Sequence, residues 1–106
     1  MIVKSKSFPE KILQLEPYSD RFDAFRLRAE SCDVLFAAYP AGTEIEPHAH
    51  DTANWGVITK GEMIITMDGR ETRFQPGEWY HVPSRAVHAA RCEIDTEEIE
   101  FWFPDK

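Results

Sequence analysis

Three of the four histidines are spaced as ligands of a single metal ion. His48 and His50 are separated by one residue, and His88 follows 38 residues after His50. Side chains two residues apart on an extended strand project from the same face, so the first two can approach one ion together. Neutral imidazole binds mid-to-late transition metals well. We therefore predict that His48, His50 and His88 hold a divalent ion such as Fe, Mn, Ni or Zn.

His81 is the remaining histidine, and the sequence leaves its role open. It lies two residues before Pro83 in a short apolar run. It could be a fourth ligand or an acid or base beside the metal, and it could equally be an ordinary half-buried strand histidine. Which face of the strand it occupies decides between these interpretations.

Glycines and a proline frame the histidines in a regular pattern. Gly42 precedes His48 by six residues, and a second block runs from Gly77 through Pro83 to His88. This pattern resembles the two motifs of the cupin family over about residues 36 to 92. The matching positions are Gly42, His48, His50, Gly61, Gly77, Pro83 and His88. The resemblance implies an all-β fold, the double-stranded β-helix or jelly-roll barrel, with a metal site inside it.

Three positions depart from the family pattern. Asn54 stands where the first motif has its glutamate ligand, and a neutral amide oxygen is the weaker ligand. Asn54, His81 or water could therefore complete the coordination. Arg85 replaces a glycine of the second motif, and we expect its turn to avoid the left-handed backbone region. Cys92 takes the place of the final asparagine.

Short apolar runs predict a small all-β domain independently of the resemblance. Turn residues bound each run, and Asp68-Gly69 between two of them predicts a two-residue hairpin. The runs are Asp33–Tyr39, Trp55–Thr59, Met63–Met67, Trp79–Val82, Ala86–Ala90 and Ile99–Phe103. At 106 residues the chain is one domain. We assign residues 31–106 to the barrel and residues 1–30 to an N-terminal arm, either extended or containing a short helix between Phe8 and Pro17.

Strand alternation predicts which side chains share the interior. If His48 and His50 point inward, so do Asn54, Gly56 and Ile58, provided the register is kept. By the same reasoning Ala90 and Cys92 share the face of His88. Met63 and Met67 are interpreted as core packing rather than as thioether ligands.

Aromatic residues are numerous, with three tryptophans, seven phenylalanines and three tyrosines. A small barrel cannot bury all of them, so some are expected at the cavity or at a subunit contact. Ile99–Phe103 is apolar on both faces, which predicts a strand covered from both sides. We expect a homodimer formed by strand exchange or sheet packing; the alternative is a monomer with a packed terminal strand.

The formal net charge of −7 argues against a nucleic acid or an anionic membrane as partner, because both require a basic surface. No apolar segment follows Lys4 and Lys6, and no run has bilayer-spanning length. We therefore expect a cytoplasmic protein in which Cys32 and Cys92 are reduced.

Two classes of function remain open. The resemblance to three-histidine cupins implies a metalloenzyme acting on a small molecule, with dioxygenase or lyase chemistry. The alternative is a non-catalytic barrel that binds or senses a small ligand, in which the missing glutamate marks a weakened metal site.

Overall fold

The computed structural model describes residues 8–104, and its regular secondary structure is almost entirely antiparallel strand. The elements are α1 (Glu10–Leu13), β1 (Glu16–Pro17), β2 (Asp23–Arg28), β3 (Asp33–Tyr39), β4 (Thr43–His48), β5 (Ala53–Lys60), β6 (Met63–Met67), β7 (Arg70–Phe74), β8 (Trp79–Val82), β9 (His88–Cys92) and β10 (Thr96–Phe103). The predicted all-β class is confirmed.

The strands form two sheets. The larger has the order β1-β2-β3-β10-β5-β8, and the smaller has the order β4-β9-β6-β7. β10 lies in the interior of the larger sheet, paired with β3 on one side and β5 on the other. One face of β10 therefore points toward the space between the sheets, and the other points away from it.

The predicted hairpin is confirmed. β6 and β7 pair from Met63 opposite Phe74 to Met67 opposite Arg70, which leaves a two-residue turn at Asp68 and Gly69. Both turn residues have positive φ, 54° and 74°, which is the backbone of a type I′ turn.

The N-terminal segment adds two strands, β1 and β2, to the larger sheet. β2 pairs with β3 along its full length, from Asp23 opposite Ala38 to Arg28 opposite Asp33. The predicted arm thus contains a short helix, α1, and also two strands of the sheet. Its first seven residues lie outside the described part of the chain.

The apolar core fills the space between the two sheets. Its buried members are Ala24, Leu35, Ala37, Tyr39, Ile58, Met63, Ile65, Tyr80, Val82 and Cys92, with Met67 packed against them. Met63 and Met67 are therefore packing residues, as predicted. Both cysteines are free, and burial raises the pKa of the Cys92 thiol to about 11, so this thiol is neutral at ordinary pH.

Within residues 8–104, no helix has the length and apolar character needed to span a bilayer.

Candidate metal centre

The fold brings His48, His50 and His88 together at one end of the smaller sheet. His48 ends β4 and lies opposite His88, the first residue of β9, in the register of that strand pair. His50 follows in the loop between β4 and β5. The ring centroids are 4.3 Å apart for His48 and His88, 4.7 Å for His48 and His50, and 4.8 Å for His50 and His88.

Backbone carbonyls orient two of these rings. Nδ1 of His48 lies 2.7 Å from the carbonyl oxygen of Glu46, and Nδ1 of His88 lies 2.9 Å from that of Ala86. A carbonyl oxygen only accepts, so Nδ1 carries the proton in each ring and donates it. Nε2 then keeps its lone pair available for an ion, which is the arrangement usual for histidine ligands.

The electrostatics of the group favour neutral imidazole. Burial lowers the pKa of His50, and the nearby rings of His88 and His48 lower it further. Burial also lowers the pKa of His88, against a small opposing effect of its bond to Ala86. Metal binding requires the unprotonated ring, so these shifts keep His50 and His88 in the competent form at neutral pH.

The donor set fits a divalent transition ion. One ligand atom from each histidine lies within 4.8 Å of the others. Two nitrogens bound to one ion at about 2.1 Å stand roughly 3 to 4 Å apart, so small ring rotations bring the three into ligand positions. A bound ion would supply Lewis acidity, and three neutral ligands would leave its positive charge undiminished.

Asn54 lies beside this group, with its side chain only 1% exposed. Its Nδ2 donates to Glu100 Oε2 at 3.0 Å, whereas its Oδ1 is buried and has no hydrogen-bond partner among the described residues. The predicted inward face of β5 is confirmed, since Asn54, Gly56 and Ile58 are all buried. Gly56 is needed there, because a Cβ at this position would lie 2.2 Å from Tyr80 Cζ.

His81 lies outside the histidine group. Its neighbours Tyr80 and Val82 are buried, and alternation places His81 on the opposite, exposed face of β8. Its ring stacks on Trp55 with centroids 4.0 Å apart, and its Nδ1 donates to the backbone oxygen of Asn54 at 3.1 Å. This corresponds to the strand-histidine interpretation rather than to a fourth ligand.

The expectation for Arg85 is wrong. Its φ is +64°, the left-handed conformation that the family glycine adopts easily. A short hydrogen bond compensates for the strain: the Arg85 N–H donates to the carbonyl oxygen of His50 at 2.6 Å. The turn before His88 is therefore attached to the loop that carries His50.

A cavity of about 230 Å³ opens from the histidines into the space between the sheets. Its lining residues are Tyr18, Phe22, Leu35, Tyr39, Ile45, His48, His50, Asn54, Met63, Ile65, Tyr80, His88, Ala90, Glu98, Glu100 and Trp102. Within the described part of the chain, no lysine or arginine lines it. Trp102 lines this cavity and also contacts the histidine group, since its ring centroid lies 4.4 Å from that of His50.

Sequence reasoning missed two residues of this cavity, Glu98 and Glu100. They are 1% and 7% exposed, which is rare for glutamate. Alternation along β10 places both on the same face as Trp102. An acidic residue at every second position before a tryptophan, inside an otherwise apolar run, is the signal that could have identified them.

Tyrosine hydroxyls surround these carboxyl groups. Tyr39 donates to Glu98 Oε2 at 2.6 Å, and the Tyr80 hydroxyl lies 2.5 Å from Glu98 Oε1 and 2.8 Å from Glu100 Oε2. Burial raises the pKa of Glu98 to about 7. Burial and the neighbouring Glu98 raise the pKa of Glu100 well above its ordinary value.

Comparisons with known proteins agree with this arrangement. Residues 35–102 match the cupin domain family. The chain is 35% identical to an H2HPP isomerase from Bacillus subtilis over 63% of this chain and 29% of that protein. It is 32% identical to quercetin 2,3-dioxygenase from Bacillus subtilis (strain 168) over 57% of this chain and 18% of that protein. It thus spans less than a third of the length of either relative.

A solved structure shows the same fold over most of the chain. The DMSP lyase DddQ from Ruegeria pomeroyi superposes with a TM-score of 0.73 at 27% identity, covering 81% of this chain and 48% of that one. The match over residues 35–102 covers more than half of the sequence and includes all three clustered histidines. The chain belongs to the cupin family.

Proposed function

We propose that this protein is a metal-dependent cupin that binds a small oxygen-containing molecule at a divalent transition ion held by His48, His50 and His88. The observation that carries the proposal is the convergence of three imidazoles, two of them oriented by backbone carbonyls. In this proposal Asn54 or water completes the coordination, since Asn54 Oδ1, the atom that would bind an ion, is buried and has no hydrogen-bond partner among the described residues. In the same proposal His81 is not a ligand, since it lies on the opposite, exposed face of β8.

Dioxygenase-like or lyase-like chemistry on that molecule is the reaction class we propose. Two of the similar proteins are named as a dioxygenase and a lyase. An ion with three neutral ligands has open positions for a chelating ligand and attracts anionic oxygen. The buried Glu98 carboxyl group, which lines the same cavity and has its pKa raised to about 7, can exchange a proton near neutral pH.

A binding or sensing barrel without catalysis is the second candidate. Asn54 at the position of the family's glutamate favours it, because a neutral amide oxygen is a weaker metal ligand than a carboxylate. Turnover of a bound ligand distinguishes the enzyme from the sensor, because both bind the ion and the ligand.

A homodimer is the assembly we propose. The outer face of the larger sheet carries Trp55, Trp79 and Phe103, which are 39%, 56% and 40% exposed. Trp79 stacks on Phe101, and Trp55 contacts Phe103, so the exposed rings form a continuous aromatic surface. Aromatic clusters of this kind are enriched at subunit contacts.

Elemental analysis of protein purified without a histidine tag tests the metal site. We expect near-stoichiometric iron, manganese, nickel or zinc in the native protein. A His48→Ala, His88→Ala double variant should lose the metal, and His81→Ala should keep it. Metal absent from the native protein, or retained by the double variant, would contradict the proposed site.

A further inference from the structure

The two buried carboxyl groups are arranged around a single hydroxyl. Tyr80 Oη lies 2.5 Å from Glu98 Oε1 and 2.8 Å from Glu100 Oε2, and both distances are hydrogen bonds. A phenol has only one proton to donate. If both carboxyl groups were ionised, one of these contacts would join two oxygens with no hydrogen between them. The pair must therefore hold one proton of its own.

The neighbouring groups indicate where that proton resides. Glu98 accepts from two phenols, Tyr39 on Oε2 and Tyr80 on Oε1, which suits a carboxylate. Glu100 is then the protonated partner, since the neighbouring Glu98 raises its pKa further, and its Oε2 lies within hydrogen-bond distance of both Tyr80 Oη and Asn54 Nδ2. The pair carries a single negative charge, located on Glu98.

Among the described residues that line the cavity, no lysine or arginine neutralises Glu98. The titratable groups that face it from neighbouring strands are Tyr39 of β3, Tyr80 of β8 and Cys92 of β9, with Glu100 on β10 itself. All four are neutral in this arrangement. A buried carboxylate without a cation binds protons more strongly than an ordinary one, and its pKa of about 7 agrees with this.

Tyr39 offers a path from the cavity to Glu98. Glu98 is only 1% exposed, and both its oxygens are occupied by phenols. Tyr80 Oη is engaged with both carboxyl groups. Tyr39 Oη has only its bond to Glu98 within the described part of the chain and lines the cavity, so it can accept a proton from a ligand while passing its own to Glu98.

We propose that Glu98 is the proton acceptor for a neutral, hydroxyl-bearing ligand in the cavity, and that Tyr39 relays the proton. This inference rests on the proposed function, since the ligand occupies the same cavity as the metal centre. In the step, the O–H bond of the ligand breaks, Tyr39 Oη takes that proton, and the original Tyr39 proton forms an O–H bond with Glu98. The ligand remains as an anion, and the charge within the cavity is unchanged.

The ligand class follows from the charges. A ligand that enters as an anion would meet Glu98 with no lysine or arginine among the described lining residues. When a neutral ligand loses its proton inside the cavity, Glu98 becomes neutral and the ligand becomes an anion. Proton transfer to Glu98 therefore requires a ligand that enters with its proton, such as a neutral hydroxyl compound with an adjacent carbonyl.

Counting protons during binding tests the inference. Cobalt(II)-loaded protein is titrated with maltol, a neutral hydroxy-ketone chelator, by calorimetry in two buffers of different ionisation enthalpy, at a pH above the value of about 7 for Glu98. We expect the native protein to release almost no proton and Glu98→Gln to release about one. Glu97→Gln, the adjacent residue on the other face of β10, is the matched control and should behave like the native protein.

The native protein provides a second measurement in case Glu98→Gln does not fold. Maltol binding should add the infrared C=O band of a newly protonated carboxyl group. Release of about one proton by the native protein, with no new carboxyl band, overturns the inference and leaves the metal site intact. Failure of cobalt or of millimolar maltol to bind overturns the proposed function itself.

Discussion

Each face of the larger sheet carries side chains that are unusual for their surroundings. The inner face of β10 presents two glutamates to the cavity, and these carboxyl groups are almost completely buried. On the outer face, Trp55, Trp79 and Phe103 are partly exposed. Charged groups normally face water and large aromatic groups normally face the core, so each face departs from the rule in its own direction.

In the proposed function each face serves a partner, the inner face a ligand and the outer face a second subunit. The inner carboxyl groups are held by Tyr39, Tyr80 and Asn54, which makes burial tolerable and keeps a reactive group beside the histidines. Across the sheet, the aromatic surface supports the proposed second copy of the chain. Both departures are features at which stability is subordinate to binding.

Removing an inner histidine should have the largest effect. We expect His88→Ala to weaken metal binding by more than the roughly 10- to 100-fold typical of losing an outer partner of a ligand. His81→Ala, on the outer face of β8, should leave the affinity unchanged. Competition titration with a chromophoric chelator measures both, and equal effects would show that the two faces are not functionally distinct.

The pH dependence of stability should reveal the buried carboxyl pair. The pKa of Glu98 is about 7 in the folded protein against 4.5 ordinarily, so the folded state binds this proton more tightly than the unfolded state. The stabilisation of the folded state by this tighter proton binding is fully present below the ordinary pKa of 4.5 and is lost as the pH rises through about 7. The loss is roughly 3 kcal/mol, since one pKa unit corresponds to about 1.4 kcal/mol.

Denaturant unfolding across that pH range, with a chelator present, measures the effect. Glu98→Gln should flatten the decline relative to the native protein, and Glu97→Gln should retain it. If the free energy of unfolding of the native protein changed with pH in the same way as that of Glu98→Gln, Glu98 would have an ordinary pKa.

An outer-face substitution should separate assembly from the metal site. If the aromatic surface is the dimer contact, Trp79→Ser should weaken dimerisation by about 2 kcal/mol or more, as expected for a tryptophan at the centre of an interface. Sedimentation velocity over a range of concentrations measures this, with Ile94→Ser as an exposed apolar control elsewhere. A native protein that is monomeric at every concentration would contradict the homodimer.

The smallest effect is expected from a single inner hydroxyl. Tyr80→Phe leaves Glu98 and Glu100 without the group between them, and we expect a loss of about 1 to 2 kcal/mol in the free energy of unfolding. Tyr18→Phe, at a half-exposed tyrosine, should change it by less than about 0.5 kcal/mol. Comparable values for the two variants would mean that the inner network adds little to stability.

The histidine cluster could be predicted from the sequence because its members lie close together in the chain or at a regular spacing from glycines and a proline. His48 and His50 share one strand end, and the glycine and proline spacing placed His88 beside them. Strand alternation likewise predicted the inward face of Asn54, Gly56 and Ile58, which depends only on neighbouring residues.

The carboxyl network escaped sequence reasoning because its contacts are remote. Glu98 meets Tyr39 across 59 residues and Tyr80 across 18. Two glutamates near the end of a chain are typical of a solvated face. Only the interior place of β10 in the sheet makes that face a buried one. Arg85 was misjudged for a related reason, since the bond to His50 that offsets its backbone strain joins residues 35 positions apart.

That bond has a further consequence for how the site would receive an ion. By fastening the turn before His88 to the loop of His50, the Arg85 N–H restricts two ligands that belong to separate segments of the chain. A preorganised pair loses less conformational entropy when it binds. The backbone positions of these two ligands are then fixed before the ion arrives, and the preference for an ion of a given radius depends on this turn as well as on the imidazole rings.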